Sequence, residues 1–332
     1  MPSLRPMLAV AALATALTSS LTASAQSIAI SGSSTVYPIS SAVAEVFTED
    51  SDANIKVESV GTGGGFKAFA KGEIDISNAS RPIKINEHKA LVKAGIDYIE
   101  VPVAYDGLTI VVNKANHWAA ELSVDQLRRI FIEDGASNWS DVDPSFPAVP
   151  LKIYAPGEAS GTYDYFKEVI SGEKSKETGH YEHGNLRSDM SKSEDDNVLV
   201  KGVAGETGAI GFFGVAYYEE NKDALHAVKI INQDGDAIAP DAESIEDGSY
   251  NPFSRPLFIY VSAKSLARPE VASFMDFYFD EGPELAEEVG YVCLPDSVYD
   301  VAQRKVAELE TGSAFLDDQG HKILGSVVDL YR

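Results

Sequence analysis

The sequence predicts an α/β protein built as two lobes with a ligand cleft between them. Three observations carry this. A strand, a turn of small residues and a helix start follow one another in that order three times. Two extended runs stand where the chain can cross from one lobe to the other. No internal repeat or low-complexity tract offers a different organisation.

The first unit runs from Ile28-Ala29-Ile30 through Ser31-Gly32-Ser33-Ser34-Thr35-Val36-Tyr37-Pro38 into a helix, where Val43, Val46 and Phe47 recur at helical spacing. Pro38 suits a first helical turn because its missing N–H costs nothing there. Such a turn leaves backbone N–H groups unpaired and aimed one way. With the helix dipole and neighbouring hydroxyls they form a site for an anion. The second unit is the strand Ile55–Val60, then Gly61-Thr62-Gly63-Gly64-Gly65, then a short helix from Phe66. Lys67 lies between Phe66 and Ala68, so the G-K-[ST] of a nucleotide loop is absent, and Phe66 stands where a dinucleotide motif needs its third glycine. The third unit is Leu151–Tyr154, the turn Ala155–Thr162 containing Ser160-Gly161-Thr162, and a helix from Tyr163 to Ile170. Between the second and third units, Ser80-Arg81-Pro82 turns away from a short strand. Arg81 there carries a planar fork suited to an oxyanion.

Ile99 to Val112 reads as a long extended run interrupted at Pro102 and Gly107, and is the first crossing. Asn251-Pro252-Phe253-Ser254-Arg255-Pro256 is the second. The expected organisation is a leader at 1–25, lobe 1 from 26–104 and 256–332, and lobe 2 from 105–255. Each lobe is expected to be a mixed sheet flanked by helices. Helices are also expected at Val124–Ile132, Pro269–Phe279, Glu284–Val289 and Val298–Leu309. The polar stretch Gly172–Asp196 reads as a loop, its His180 and His183 flanked by Gly179 and Gly184 and therefore no metal pair.

The 332 residues are 44% hydrophobic, enough for a full core, and no stretch after the N-terminus is apolar for long enough to span a bilayer. Arg5, the apolar run Met7–Leu17 and Ala23-Ser24-Ala25 together read as a secretory signal cut before Gln26. The single cysteine, Cys293, allows no internal disulfide and no multi-cysteine metal site. No cysteine stands near the cleavage site to take a lipid, so a free periplasmic protein is expected. Formal charge is −24, and loss of Arg5 with the leader takes it to −25. Nucleic acid and anionic membrane surfaces are excluded as partners, since both need a basic face. An anionic ligand must be held by local donors against an unfavourable distant field.

Three hydroxyl-rich turns at the carboxyl ends of strands, where open α/β sheets bind ligands, can enclose one small tetrahedral oxyanion. Two crossings place it between lobes that close by a hinge. An enzyme is the competing class. Glu158 stands where G-x-S-x-G needs a glycine before Ser160, no histidine sits in a base context near these serines, and H-E-x-x-H is absent. No catalytic residue, cofactor or metal is expected.

The set Gly32-Ser33-Ser34-Thr35, Gly61-Thr62-Gly63-Gly64-Gly65, Ala79-Ser80-Arg81-Pro82 and Ser160-Gly161-Thr162 resembles the periplasmic phosphate-binding proteins, the substrate-binding components of the ABC-type phosphate importer. Gly208-Ala209-Ile210-Gly211 and Gly290-Tyr291-Val292 fit the same family, and the resemblance covers nearly the whole mature chain. It implies a type 2 periplasmic-binding-protein fold, a monomer, inorganic phosphate as ligand and a membrane permease as partner. The alternatives are a same-fold receptor for sulfate or molybdate, or a secreted phosphotransfer enzyme. By motif position the resemblance assigns phosphate to the Ser34 hydroxyl, the Thr35 N–H, Thr62, Ser80, Arg81 and the Ser160, Gly161 and Thr162 donors. Two departures stand out. Relatives often carry an aspartate after the serine corresponding to Ser80, where this chain has Arg81. They often carry an arginine four residues before the serine corresponding to Ser160, where it has Pro156. The cation is thus expected on lobe 1 as Arg81, with Asp106 or Glu158 as the replacement proton acceptor.

Overall fold

A computed structural model describes residues 27–158, 160–172, 175, 179–193, 195–232, 234–317 and 319–332. The leader read at 1–25 lies outside the described residues. Twelve strands are found among them: β1 (Ile28–Gly32), β2 (Ile55–Ser59), β3 (Ile76–Ala79), β4 (Tyr98–Asn113), β5 (Glu121–Ser123), β6 (Lys152–Pro156), β7 (Ser191–Ser193), β8 (Ala209–Gly214), β9 (Leu225–Ala227), β10 (Lys229–Ile231), β11 (Ala237–Ile238) and β12 (Ser254–Ser262).

Nine of these form one mixed sheet in the order β2-β1-β3-β12-β4-β8-β6-β7, with β9 also on β4. The other three form a small sheet, β11-β10-β5. β4 joins the two lobes. Its first part pairs antiparallel with β12, from Tyr98 opposite Ser262 to Gly107 opposite Ser254. Its second part pairs antiparallel with β8, from Leu108 opposite Gly214 to Val112 opposite Ile210. All sixteen β4 residues are buried, and most of them are apolar, as a strand covered on both faces requires.

The strand runs unbroken through Pro102 and Gly107, where the sequence suggests interruptions. Phe258 faces Pro102 while its neighbour Leu257 faces Ala104, so a bulge falls at Val103. A bulge is where a residue without an N–H fits inside a ladder. At Gly107 an added Cβ would lie 2.7 Å from Ile245 Cδ1, so a larger residue there would need the Ile245 side chain to move.

In lobe 1 the helix Tyr37–Glu49 packs against Pro269–Glu288 through Phe47, whose ring lies 5.4 Å from Phe274 and 5.3 Å from Phe277. Pro269–Glu288 is one helix of 20 residues, not the two that its Gly282-Pro283 pair suggests. The buried face continues in phase through Phe274, Met275, Tyr278, Gly282 and Ala286. Burial along that face outweighs the one backbone bond that Pro283 removes. In lobe 2, Phe131, Phe166 and Phe212 form an aromatic centre, with Phe166 and Phe212 stacked at 3.8 Å. The polar stretch read as loop contains the short strand β7, parallel to β6.

The C-terminal segment is fastened to lobe 1 by a buried carboxylate. Glu100 on β4 is 1% exposed. It accepts from Tyr260 Oη at 2.8 Å, Ser313 Oγ at 2.6 Å, Ala314 N at 2.9 Å and Tyr331 Oη at 3.1 Å. Burial pushes its carboxyl above the usual range, and the four donors pull the other way. Glu100→Gln sets an amide N–H₂ against these donors. It is expected to cost about 1–3 kcal/mol for each group left unsatisfied. A urea midpoint equal to that of the native chain would show that the network does not hold the tail.

Candidate functional site

The three strand–turn–helix units meet at one place. At the first, Gly32 has φ +148°, and an added Cβ would fall 2.1 Å from the Asn78 carbonyl oxygen. Glycine lets β1 lie this close to β3 and turn sharply into Ser33. Ser33 N then donates to Asn78 O at 2.9 Å. At the second, Gly61 has φ +76° and opens the helix Thr62–Phe69. Thr62 Oγ1 lies 3.2 Å from Ser80 Oγ and accepts from Ser80 N at 3.2 Å, which joins the second turn to the end of β3. At the third, Ser160 caps the helix Gly161–Ser171 by accepting from Thr162 N at 3.2 Å.

A cavity of about 290 Å³ lies among these turns. It is lined by Ser33, Ser34, Thr35, Gly61, Thr62, Gly63, Ser80, Arg81, Asp164, Tyr165, Glu168 and Arg255. Five of the eight residues expected from the sequence line it: Ser34, Thr35, Thr62, Ser80 and Arg81. Ser160, Gly161 and Thr162 do not line it but stand across from it at the helix start. An added Cβ on Gly161 would lie 2.8 Å from Thr35 Cα, so the two lobes touch backbone to backbone there.

The donor geometry departs from expectation in two ways. The Thr35 N–H goes to Ser33 Oγ at 3.2 Å, and it is the Thr35 hydroxyl that engages a charged group. The Arg81 fork is taken: its Nη1 and Nη2 donate to the two Glu87 oxygens, each at 2.8 Å. Glu87 lies six residues on, in the first turn of the helix Ile85–Ala94, where a carboxylate is favoured.

The cation that reaches across the site is Arg255, at the start of β12 in the second crossing. Its Nη2 donates to Thr35 Oγ1 at 2.9 Å, its Nε to Asp106 Oδ2 at 3.3 Å, and its Nη1 to Glu168 Oε2 at 3.3 Å. Its guanidinium lies 3.6 Å from the Tyr165 ring centroid. Tyr165 in turn donates to Pro252 O at 2.7 Å. Asp106 is 2% exposed and sits behind Arg255. Burial pushes its carboxyl up, while the Arg255 charge and hydrogen bond pull it down. A threonine hydroxyl that accepts from a guanidinium keeps its own proton free to donate, so Arg255 polarises Thr35 toward the cavity.

Neither acceptor proposed from the sequence lines the cavity. Asp106 is occupied by Arg255, and Glu158 pairs with Lys192 at 2.6 Å on the surface. The carboxylates that do line it are Asp164, which accepts from Ser34 Oγ at 3.4 Å, and Glu168. Sequence reasoning missed Arg255, Asp164 and Glu168, yet each left a signal. Arg255 is a lone cation inside a crossing, and crossings form the cleft floor. Asp164 and Glu168 follow Ser160 at successive four-residue steps, which puts them on the helix face that Ser160 presents.

Gly161→Ala places a methyl against the Thr35 backbone and is expected to penalise lobe closure by about 1–3 kcal/mol, the scale of overpacking at a rigid contact. Small-angle scattering should report a larger radius of gyration than for the native chain. An unchanged radius under the same conditions would mean that this contact does not limit closure.

Residues 17–281 match the family model described as a PBP superfamily domain. Protein SphX of Synechococcus elongatus is 45% identical, covering 98% of this chain and 95% of its own length. The phosphate-binding protein PstS of Staphylococcus saprophyticus is 39% identical, covering 86% of each chain. Among solved structures, one described as a possible phosphate binding protein from Planctomyces limnophilus is 43% identical with TM-score 0.80, covering 86% of this chain and 98% of that one. An ABC-type phosphate transport receptor from Vibrio cholerae, at 23% identity and TM-score 0.63, shares the fold over 81% of this chain and 100% of its own. The two-lobed architecture and these relatives together place the chain in the PBP superfamily, in the phosphate-binding protein family that includes SphX and PstS.

Proposed function

We propose that this protein binds inorganic phosphate in the cleft and delivers it to the membrane permease of an ABC-type importer. The observation that carries this is the convergence of neutral donors from separate turns, with the Arg255 guanidinium reaching across, on a cavity of about 290 Å³. Hydroxyls and helix N-termini hold a tetrahedral oxyanion without net positive charge. The relatives named phosphate-binding proteins support the choice of anion, and the neighbour named a transport receptor supports the importer as partner. In this reading the Ser34, Thr35, Thr62 and Ser80 hydroxyls contact phosphate from lobe 1, and Ser160, Gly161 and Thr162 contact it from lobe 2 as the lobes close. Arg255 supplies the charged hydrogen bond. Arg81, its fork held by Glu87, contributes field alone. The protein acts as a monomeric receptor in the periplasm after loss of its leader, and it binds without turning over its ligand.

Titration calorimetry with phosphate, sulfate and molybdate tests the reading. Phosphate heat is expected. Silence with phosphate and clear binding of another oxyanion would overturn the choice of ligand. Arg255→Lys keeps the charge but cannot hold Asp106, Thr35 and Glu168 at once. It is expected to weaken phosphate binding by about 1.5–3 kcal/mol, the scale of a charge-assisted hydrogen bond. Arg81→Ala is expected to cost less than about 1 kcal/mol, as for a screened charge. The reverse order would return the role to Arg81.

A further inference from the structure

The stretch Gly290-Tyr291-Val292 follows the helix Pro269–Glu288 and does not line the cavity. It nonetheless meets the first turn, the first crossing and lobe 2. Gly290, at φ +92°, turns the chain off the helix, and Tyr291 N donates back to Ala286 O at 3.0 Å. Val292 exchanges both backbone bonds with Tyr105 of the first crossing, Tyr105 N donating to Val292 O at 2.7 Å and Val292 N to Tyr105 O at 3.0 Å. Tyr105 adjoins Asp106, the partner of Arg255. Lobe 2 comes close as well: a Cβ added to Gly214, at the end of β8, would lie 3.3 Å from Gly290 O. From this position the Tyr291 side chain, 9% exposed, reaches the first turn and donates from Oη to Thr35 O at 2.6 Å.

A buried phenol needs an acceptor, and any carbonyl would satisfy it. This carbonyl belongs to the residue whose hydroxyl meets Arg255. Thr35 N donates to Ser33 Oγ at 3.2 Å, and Thr35 Oγ1 accepts from Arg255 Nη2 at 2.9 Å. With Tyr291 on its carbonyl, a rotation of Thr35 breaks at least one of three bonds. Thr35 is thus held from both crossings: by Arg255 of the second, and by Tyr291 beside the bridge to the first. Resting on the phosphate reading of this cleft, we propose that Tyr291 is a positioning residue for phosphate, its hydroxyl fixing the Thr35 carbonyl and so setting the Thr35 hydroxyl between Arg255 and the cavity. Burial and the nearby Asp106 charge push the Tyr291 phenol up, so it stays a donor at neutral pH. Without that hydroxyl the buried carbonyl loses its donor, and the turn settles with Thr35 off its line to Arg255. The fraction of free protein that presents Thr35 correctly then falls, and the apparent Kd rises by the inverse of that fraction.

Calorimetry of the full chain with sodium phosphate, on Tyr291→Phe, Thr35→Val and the two combined, tests this. Each single variant is expected to weaken binding by about tenfold. The combination should be little weaker than Thr35→Val alone, because Tyr291 then has no hydroxyl left to position. Thr62 bonds to Ser80 instead, so Tyr291→Phe combined with Thr62→Val should multiply the two losses. Tyr331→Phe is the control for lobe 1 stability. It removes the hydroxyl that donates to Glu100 Oε1 at 3.1 Å, and should lower the urea midpoint without changing Kd. A native Kd in Tyr291→Phe, or losses that multiply with Thr35→Val, overturns the proposal. So does an equal loss of affinity in Tyr331→Phe, since affinity would then follow lobe stability. Absence of phosphate heat with the native chain overturns the phosphate reading instead.

Discussion

One ion pair, Arg255 with Asp106, holds the centre of this molecule. Asp106 lies on the first crossing and Arg255 on the second, so their 3.3 Å contact ties the two inter-lobe connections together beneath the cleft. Asp106 is buried, and the Arg255 guanidinium both opposes its charge and hydrogen-bonds to it. The guanidinium that meets this need is left with donors for both lobes. It reaches Thr35 in the first turn of lobe 1 and Glu168 on the third-turn helix of lobe 2, and it stacks on Tyr165 of that same helix. The hinge, the lobe contact and the charged end of the cavity thus share one side chain.

Around that ion pair, the donors that line the site are mostly neutral hydroxyls, those of Ser33, Ser34, Thr35, Thr62 and Ser80. This is how a chain of formal charge −24 can present an anion site. Distant carboxylates are screened over about 8–10 Å at ordinary ionic strength, whereas hydroxyls and helix starts act at contact distance. The same locality makes the nearest carboxylates decisive. Asp164 and Glu168 lie within the screening distance and cannot be ignored by whatever enters. The donors of the cleft are positioned by helix starts and by the close lobe contact at Gly161.

The parts of this structure that were legible in the sequence are the local ones. A strand, a glycine–serine turn and a helix start are written within a dozen residues, so Ser31–Pro38, Gly61–Gly65 and Ala155–Thr162 could be read directly. The length of the first crossing was also visible, because a strand covered on both faces is a continuous apolar run. What could not be read depends on pairing across long separations. Arg255 meets Thr35 across 220 positions and Asp106 across 149. Glu100 gathers partners from Tyr260, Ser313 and Tyr331. The sequence points to Arg81 rather than Arg255 because Arg81 has the right chemistry and stands just past β3. Glu87, only six residues on, occupies its fork, and the angle at which the next helix leaves the sheet is not written locally. The helix through Pro283 misled for a related reason. A proline removes a backbone donor and breaks the local pattern, while the buried face that overrides it belongs to the tertiary packing.

The most direct measurement is a crystal structure of the protein grown with phosphate. The account predicts one tetrahedral density in the cavity bounded by Thr35, Thr62, Ser80 and Arg255, within hydrogen-bond distance of the Arg255 guanidinium, with the Arg81–Glu87 pair intact. Density seated on the Arg81 fork with Glu87 displaced, or lying away from Arg255, would contradict it.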